Sequence, residues 1–246
     1  MAKYIILDTE TTGTEQEDRI IQLGYIILDG KNVEVHNEFC SADTEIKFEA
    51  MAVHGITPEM IEGKPACVDT TAYKRLLELN QRDNYMIIHN APFDLSMLQK
   101  EGFENSMKLI DTLRVSRHIL EDSPKHQLQY FRYQMGIYRY EEMEAKSLNI
   151  EIKAHDAIGD VLVLKLFLSK LKELIMEKYK GENPVEKMVE LTKQPILIKK
   201  FKFGKYKDKT IQEVVQSDPS YLRWMLSSMD NLDDDLRYSI EYYLNS

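Results

Sequence analysis

The chain has 246 residues, of which 43% are hydrophobic and 30% charged, and its formal net charge is −9. This length allows one substantial core and a smaller second domain. No segment approaches the ~18 uninterrupted apolar residues of a membrane helix, and no leader-like stretch opens the chain. The two cysteines form no CxxC pair, as is typical of a reducing compartment. We therefore expect a cytoplasmic protein with no membrane partner.

Three β-type runs open the chain, over residues 3–9, 20–28 and 33–40, with a tight turn at 29–32 between the second and the third. This pattern predicts an antiparallel meander followed by mixed α/β elements. The later elements are predicted as a helix over 70–79, a strand over 85–89, a helix over 92–100, a short strand at 109–110, and helices over 112–120, 126–135 and 156–178.

A second unit is predicted after residue 180. Residues 181–195 begin with the helix breaker Gly-Glu-Asn-Pro and are interpreted as a linker between a domain over 1–180 and one over 196–246. The second domain is predicted as a small α+β unit, with a strand over 196–203 and helices over 210–216, 218–229 and 233–244. Asp218-Pro219 is a strong helix start, with the acid as N-cap and proline as the first helical residue.

The stretch ILDTETTG, residues 6–13, ends an apolar strand in two carboxylates. Because side chains two apart in a strand face the same side, Asp8 and Glu10 project together, while Thr9 faces the other way. Buried carboxylates are costly unless something positive meets them. Two oxygen-rich side chains at this spacing can hold a pair of divalent cations, although strand-end acids that simply meet solvent would give the same pattern.

Two further acids lie at the starts of predicted helices. Asp94 falls in the first turn of the helix in HNAPFDLSML, and Asp160 falls in that of AHDAIGDV. Either acid could simply complement the helix dipole. His155 and Asp160 would lie ~140° apart on one regular helix, so they converge only if His155 precedes the helix and Asp156 caps it. That arrangement would place an acid–base group beside a carboxylate ligand.

Together these residues point to a metal site. Four carboxylates lie at the edges of apolar elements, and no Cys or His cluster offers soft ligands, so Mg²⁺ or Mn²⁺ are the expected ions. The histidine suits a general base, because its ordinary pKa lies near neutral pH.

The three stretches ILDTETTG, HNAPFDLSML and HDAIGD, in this order and spacing, resemble the motifs of the DEDDh group of 3'-to-5' exonucleases. The resemblance also includes AVHGIT, residues 52–57, and extends over residues 1 to about 175. It implies the α/β fold of the ribonuclease H-like superfamily, a mixed sheet whose first three strands are antiparallel and which helices flank. The strand pattern agrees with this fold independently.

The resemblance also implies a two-metal mechanism. Asp8 would bridge two Mg²⁺ ions, Glu10 and Asp160 would complete the first site, and Asp94 would help hold the second. His155 would take a proton from the attacking water, and nucleoside 5'-monophosphates would leave the 3' end of DNA. Five residues are expected to contact or flank the terminal nucleotide: Thr11, Thr12, His54, Asn90 and Phe93.

The segment after residue 198 resembles the small C-terminal domain of a bacterial branch of these exonucleases that acts on DNA. Its window KKFKFGKYKDK contains six lysines that are candidates for DNA binding: Lys199, Lys200, Lys202, Lys205, Lys207 and Lys209. Interleaved aromatic and basic residues suit nucleic acid, although the aromatics could equally form the core of the domain. Trp224 is interpreted as core. Asp208 departs from the glycine usual in related domains, which leaves the local turn open.

Alternative functions share the same motifs. An RNA exonuclease of the ribonuclease T or oligoribonuclease type would need the same catalytic residues, as would the proofreading epsilon subunit of DNA polymerase III. A catalytically silent nucleic-acid-binding scaffold is a non-enzymatic alternative, against which the presence of all five core residues argues.

Overall fold

A computed structural model of the chain describes residues 2–150 and 156–246. Its centre is one five-stranded sheet with the order β3-β2-β1-β4-β5. The strands are β1 (Tyr4–Thr11), β2 (Ile20–Asp29), β3 (Asn32–Phe39), β4 (Tyr85–Ile88) and β5 (Lys108–Asp111). β1, β2 and β3 are antiparallel neighbours, whereas β4 runs parallel to β1 and β5 parallel to β4. The predicted mixed sheet with three antiparallel strands is confirmed.

Besides the sheet, the described residues form α-helices. They are α1 (Phe48–His54), α2 (Pro58–Ile61), α3 (Thr71–Leu79), α4 (Ala91–Lys100), α5 (Thr112–Ile119), α6 (Leu128–Gln134), α7 (Glu141–Leu148), α8 (Ala157–Lys178), α9 (Pro184–Lys193), α10 (Ile211–Ser217), α11 (Pro219–Ser228) and α12 (Asp234–Asn245). The sequence reading missed α1, α2, α7 and α9. Within the described ranges, no helix is both long and apolar enough to cross a membrane.

The sheet has an apolar core on each face. On one face, Ile6 and Ile26 pack with the buried side of α8. On the other, Leu7 and Tyr25 pack with residues of α3 and α4. Because β2 is covered on both sides, it is apolar along most of its length and is buried from Ile20 to Ile27. Strand β2 is therefore the place where a small or polar residue needs a specific explanation.

Asp111 fixes the starts of two helices at the carboxyl ends of β4 and β5. Its buried carboxylate accepts hydrogen bonds from the backbone N–H groups of Asn90 and Ala91, at the start of α4. It also accepts one from the N–H of Leu113 in α5, at 2.9 Å. These bonds satisfy helix N–H groups that have no partner within the helix. Asp111 therefore helps to position α4, which carries Asp94.

The chain forms two compact units, unit 1 (Met1–Thr192) and unit 2 (Lys193–Ser246). The sequence reading placed a linker at 181–195, but most of that segment is helix α9. The Asn183 side chain accepts the backbone N–H groups of Val185 and Glu186, so Asn183-Pro184 is a helix start of the same kind as Asp218-Pro219. Met188 and its apolar neighbours belong to the α8-side core, which places α9 inside unit 1.

Unit 2 is built on three helices. The strand predicted over 196–203 reduces to an isolated bridge between Lys200 and Thr210. The backbone of this segment is hydrogen-bonded to side chains of α12 instead. The N–H of Ile196 donates to the Asp235 carboxylate, and that of Ile198 donates to the Ser239 hydroxyl. Eight buried residues form the core: Phe201, Ile211, Val214, Leu222, Met225, Leu232, Leu236 and Ile240.

Two sequence interpretations change in unit 2. Trp224, interpreted as core, is 51% exposed, because Leu222 and Met225 occupy the inward side of α11. Asp208 stands in a turn at φ = +70°, the left-handed conformation that glycine adopts most easily. Aspartate tolerates this conformation better than most residues, so the turn forms without the usual glycine.

Candidate active site

Asp8 and Glu10 lie on the α8 side of β1. Their partners across the antiparallel pair are Gly24 and Gln22 of β2. Directly opposed residues in such a pair project to the same face, so these four positions share one face. Both acids are half-buried. Among residues 2–150 and 156–246, no hydrogen-bond donor or basic group reaches either carboxylate.

These carboxylates repel one another. Burial, and then Asp94, Asp160 and Glu10, raise the pKa of Asp8 well above its usual value. Burial, together with Asp160 and Asp94, raises the pKa of Glu10 to about 8. The mutual effects mean that β1, α4 and α8 bring their acids close together. A bound cation would offset the repulsion between these acids.

Asp94 is held in place by the strand that carries the other acids. Its carboxylate accepts bonds from the Thr9 backbone N–H at 3.0 Å and from the Thr9 hydroxyl at 2.8 Å. Asp94 is 3% exposed, and this burial raises its pKa to about 7 although the Thr9 bonds lower it. Thr9, which faces away from Asp8 and Glu10, thus orients the third acid.

The start of α8 lies against β2 because residue 24 has no side chain. A Cβ atom at Gly24 would lie 2.9 Å from the Cβ of Ala157 and 3.0 Å from the backbone N of Ile158. Gln22 adds two polar contacts, donating to the Asp156 carboxylate and accepting from the Ala157 N–H. Asp160 lies one turn further along the helix. The roles of Gln22 and Gly24 were not predicted from the sequence. A glutamine and a glycine inside an apolar strand nevertheless indicate that another backbone segment comes close to the strand.

A chain of polar side chains leads away from Asp160. The Gln129 amide donates to the Asp160 carboxylate at 2.5 Å, and the Gln129 oxygen accepts from Arg132 at 3.2 Å. Arg132 in turn makes two 2.6 Å bonds to the buried carboxylate of Glu141. Gln129 and Arg132 both lie on α6. No sequence motif pointed to this contact, because it joins two helices separated by about thirty residues.

His155, the expected general base, lies outside the described residues. Of the expected substrate contacts, Asn90 is exposed at the start of α4 with φ = +76°, and Phe93 is half-buried one residue before Asp94. Both therefore flank the third acid.

The other expected contacts are hydrogen-bonded inside the protein. The His54 ring accepts the Ile56 N–H at 2.9 Å and contacts the Thr11 carbonyl oxygen at 3.2 Å. Burial lowers the pKa of His54, although the bond to Thr11 opposes this, so the ring is held neutral. The Thr12 hydroxyl donates to the buried Asp18. These residues hold the end of β1 just after Glu10.

The donor set fits a hard divalent cation. All four described candidates are carboxylates, which are the ligands that Mg²⁺ and Mn²⁺ prefer. As the side chains stand, no three His, Cys, Asp or Glu residues of the described chain are grouped into a preformed metal site. Burial first, and then neighbouring acids, raise the pKa values of Asp8, Glu10 and Asp94, so a bound cation would favour their charged forms.

Comparison with known families agrees with this geometry. A family model described as Exonuclease matches residues 5–167, more than half of the chain. A second, described as Exodeoxyribonuclease X-like C-terminal, matches residues 201–229 in unit 2. The chain therefore belongs to the Exonuclease family.

Individual relatives are similar to this chain in sequence over different lengths. Exodeoxyribonuclease 10 of Escherichia coli K12 is 27% identical over 246 residues, covering 98% of each chain. The DNA polymerase III subunit epsilon of Rickettsia conorii is 36% identical over 137 residues, covering 49% of this chain and 57% of its own.

Solved structures share the fold. Exonuclease X in complex with 5' overhanging duplex DNA matches with a TM-score of 0.54 at 22% identity, covering 78% of this chain and 99% of that one. A zinc-bound complex of E. coli exonuclease I with single-stranded DNA matches with a TM-score of 0.53 at 21% identity. The match covers 74% of this chain and 42% of that one. The ribonuclease H-like fold expected from the motifs is confirmed.

Proposed function

We propose that this protein is a metal-dependent 3'-to-5' exodeoxyribonuclease that releases nucleoside 5'-monophosphates from DNA ends. The observation that carries the proposal is the agreement of both units with one enzyme type. Unit 1 belongs to the Exonuclease family, and unit 2 matches the C-terminal model of exodeoxyribonuclease X. The relative that is similar over 98% of each chain is named an exodeoxyribonuclease. This full-length similarity favours DNA over RNA as substrate, and an exodeoxyribonuclease over a polymerase subunit.

Asp8, Glu10, Asp94 and Asp160 are the residues that would hold Mg²⁺, or Mn²⁺ in its place. When bound, two such ions supply the positive charge that stabilises the phosphodiester transition state and make water a better nucleophile at neutral pH. The chain contributes by bringing four carboxylates to one location. Their raised pKa values mean that ion binding releases protons from the site.

The remaining residues orient these ligands. Thr9 fixes Asp94, while Gln129 fixes one oxygen of Asp160. Gln22 and Gly24 hold the start of α8 against β2. His155, which directly precedes the cap residue Asp156, is proposed to take the proton from the attacking water. The water oxygen bonds to phosphorus and the bond from phosphorus to the 3' oxygen breaks, so the released nucleotide carries the 5' phosphate. The 3' oxygen takes a proton from solvent and remains on the shortened strand as its 3' hydroxyl.

A degradation assay tests this function. Single-stranded DNA, duplex DNA and RNA, each labelled at the 5' end, are incubated with the protein and Mg²⁺. We expect DNA products that shorten progressively from the 3' end, with mononucleotides released. Asp8→Ala and His155→Ala should each abolish this pattern. Equal degradation by the wild type and Asp8→Ala would refute the metal mechanism, and a strong preference for RNA would refute the assignment of DNA as substrate.

A further inference from the structure

Unit 2 exposes an aromatic pair on α11. Trp224 is 51% exposed, and the half-buried Tyr221 lies one turn before it. Their rings are 5.7 Å apart and tilted by 33°. Residues three apart lie on the same side of a helix, so the two rings form one surface while Leu222 and Met225 face the core. An indole left half in water has a large apolar face available for a partner.

This pair belongs to an ordered arrangement. The ring of Tyr206 meets that of Tyr221 edge-on at 5.1 Å. The Tyr206 hydroxyl donates to Asp218 at 2.7 Å, and Asp218 also caps α11 by accepting the Tyr221 N–H. The Tyr206 and Tyr221 rings beside Trp224 are therefore held in position before any partner arrives, which reduces the entropy lost on binding.

Lysines border these rings. The ammonium group of Lys205, which forms a 3.0 Å ion pair with Asp218, lies 4.8 Å from the centre of the Tyr206 ring and 5.7 Å from that of Tyr221. That of Lys209 lies 5.8 Å from the Tyr206 ring. We call Lys205, Tyr206, Lys209, Tyr221 and Trp224 the Trp224 surface. Both lysines belong to residues 199–209, which contain six lysines and one aspartate.

These features select the partner. Positive charge beside flat exposed rings fits an anionic chain that carries its own flat rings. Duplex DNA offers phosphates but keeps its bases stacked and out of reach. A single strand offers both phosphates for the lysines and free base faces for the indole.

We propose that the Trp224 surface binds single-stranded DNA, with a base stacked on Trp224 and the neighbouring phosphates beside Lys205 and Lys209. The site is distinct from the carboxylates of unit 1. Because binding needs no hydrolysis, it can be tested without metal, and its failure is distinguishable from failure of the proposed nuclease function.

The chain offers a built-in probe, since Trp224 is its only tryptophan. The full-length protein is titrated with a short oligothymidylate in EDTA while tryptophan fluorescence is recorded. Stacking should quench the emission saturably, and added salt should reverse the quenching. A blunt duplex of equal nucleotide content should quench much less. Unchanged emission at a strand concentration that saturates binding by anisotropy would overturn the proposal, as would equal quenching by the duplex.

Variants then measure the contribution of the surface to affinity. Trp224→Ala should weaken binding of a labelled oligothymidylate roughly tenfold, as loss of one base stack does. Lys205→Gln should reduce the salt dependence of binding. Tyr242→Ala is the matched control, since Tyr242 is a 48% exposed aromatic residue on α12 of the same unit. It should bind like the wild type. No loss with Trp224→Ala, or an equal loss with Tyr242→Ala, would overturn the proposal.

Discussion

Two carboxylates, one in each unit, have opposite surroundings. In unit 1, burial and neighbouring acids raise the pKa of Glu10 to about 8, and no described donor reaches its carboxylate. In unit 2, hydrogen bonds from Ser220, Tyr206 and Lys205 lower the pKa of Asp218. Asp218, which caps α11, is surrounded by donors, whereas Glu10, a proposed cation ligand, has none among the described residues. This contrast distinguishes the site from the scaffold.

The two units also differ in net charge. Unit 2 carries nine Lys and Arg against eight Asp and Glu, whereas unit 1 carries 23 against 33. An acidic unit that must approach a polyanion needs cations to do so. A nearly neutral unit with its lysines in one segment can approach nucleic acid without them. The predictions that follow test this division of tasks.

The largest effect on stability is expected from truncating the chain, and it should depend on where the chain ends. A chain ending at Gln194 should fold and keep its turnover number, with a raised KM for DNA because unit 2 is absent. A chain ending at Lys180 should not fold, since it also loses α9. Burial of Val185, Met188, Val189 and Leu191 contributes about 1.5–3 kcal/mol each, and together this matches the whole stability of a domain.

Circular dichroism melting and steady-state kinetics check this prediction. Similar melting temperatures for the two truncated chains would contradict the assignment of α9 to unit 1. An unchanged KM in the longer chain would instead contradict a role of unit 2 in binding DNA.

Asp8→Asn should separate activity from stability. Loss of this ligand should lower kcat/KM by about a thousandfold or more, roughly 4 kcal/mol of transition-state stabilisation. The same change removes a charge that its neighbours repel, so the melting temperature in EDTA should stay equal or rise. Trp224→Ala, in unit 2, is the comparison variant and should keep kcat. A clear fall in the melting temperature of Asp8→Asn would show that the carboxylate stabilises the fold.

Gly24→Val tests whether the close approach of α8 assembles the site. The added side chain would clash with Ala157, so we expect α8 and Asp160 to be displaced. Displacements of about 1 Å cost roughly a hundredfold in rate, and overpacking costs about 1–3 kcal/mol of stability. Gly24→Ala should lie between the wild type and Gly24→Val in both reaction rate and stability. Full activity of the valine variant would show that the contact is not needed.

The acids of unit 1 also predict how stability depends on pH. The pKa values of Asp94 and Glu10 are raised to about 7 and 8, so the folded protein binds more protons than the unfolded chain above about pH 4. In EDTA, the free energy of unfolding should therefore fall as pH rises from about 5 to 8. Mn²⁺ should restore stability most strongly at pH 8, and Glu10→Gln should flatten the profile. Denaturant melts at each pH measure this, and a rise in stability with pH in EDTA would contradict it.

The smallest effect is expected at the Asp208 turn. Asp208→Gly should change the stability of unit 2 by no more than about 0.5 kcal/mol. Relief of the left-handed conformation is offset by the greater freedom of glycine in the unfolded chain. Asp208→Val should cost about 1–2 kcal/mol. Denaturation followed by Trp224 fluorescence reports on this unit, and equal stability of the two variants would contradict the strain argument.

Local patterns were sufficient to predict the sheet and the position of each acid. Both depend on the alternation of side chains along a strand and on the residues that start helices. Features that depend on distant contacts were missed. Nothing near Gln129 in the sequence indicates that its amide reaches Asp160, and the exposure of Trp224 depends on which side of α11 Leu222 and Met225 fill. α9 was missed for a different reason. Asn183-Pro184 was interpreted only as a breaker, although the same signal was correctly interpreted at Asp218-Pro219.

The glycine opposite Asp8 also limits how this chain can change during evolution. Glycine is a poor strand former, and in the surrounding run of isoleucine and leucine a valine would normally make the strand more stable. Here the valine side chain would push α8 away from the sheet. Selection for a more stable strand and selection for a working nuclease therefore oppose each other at a single position. Attempts to increase the thermal stability of this enzyme should leave residue 24 unchanged.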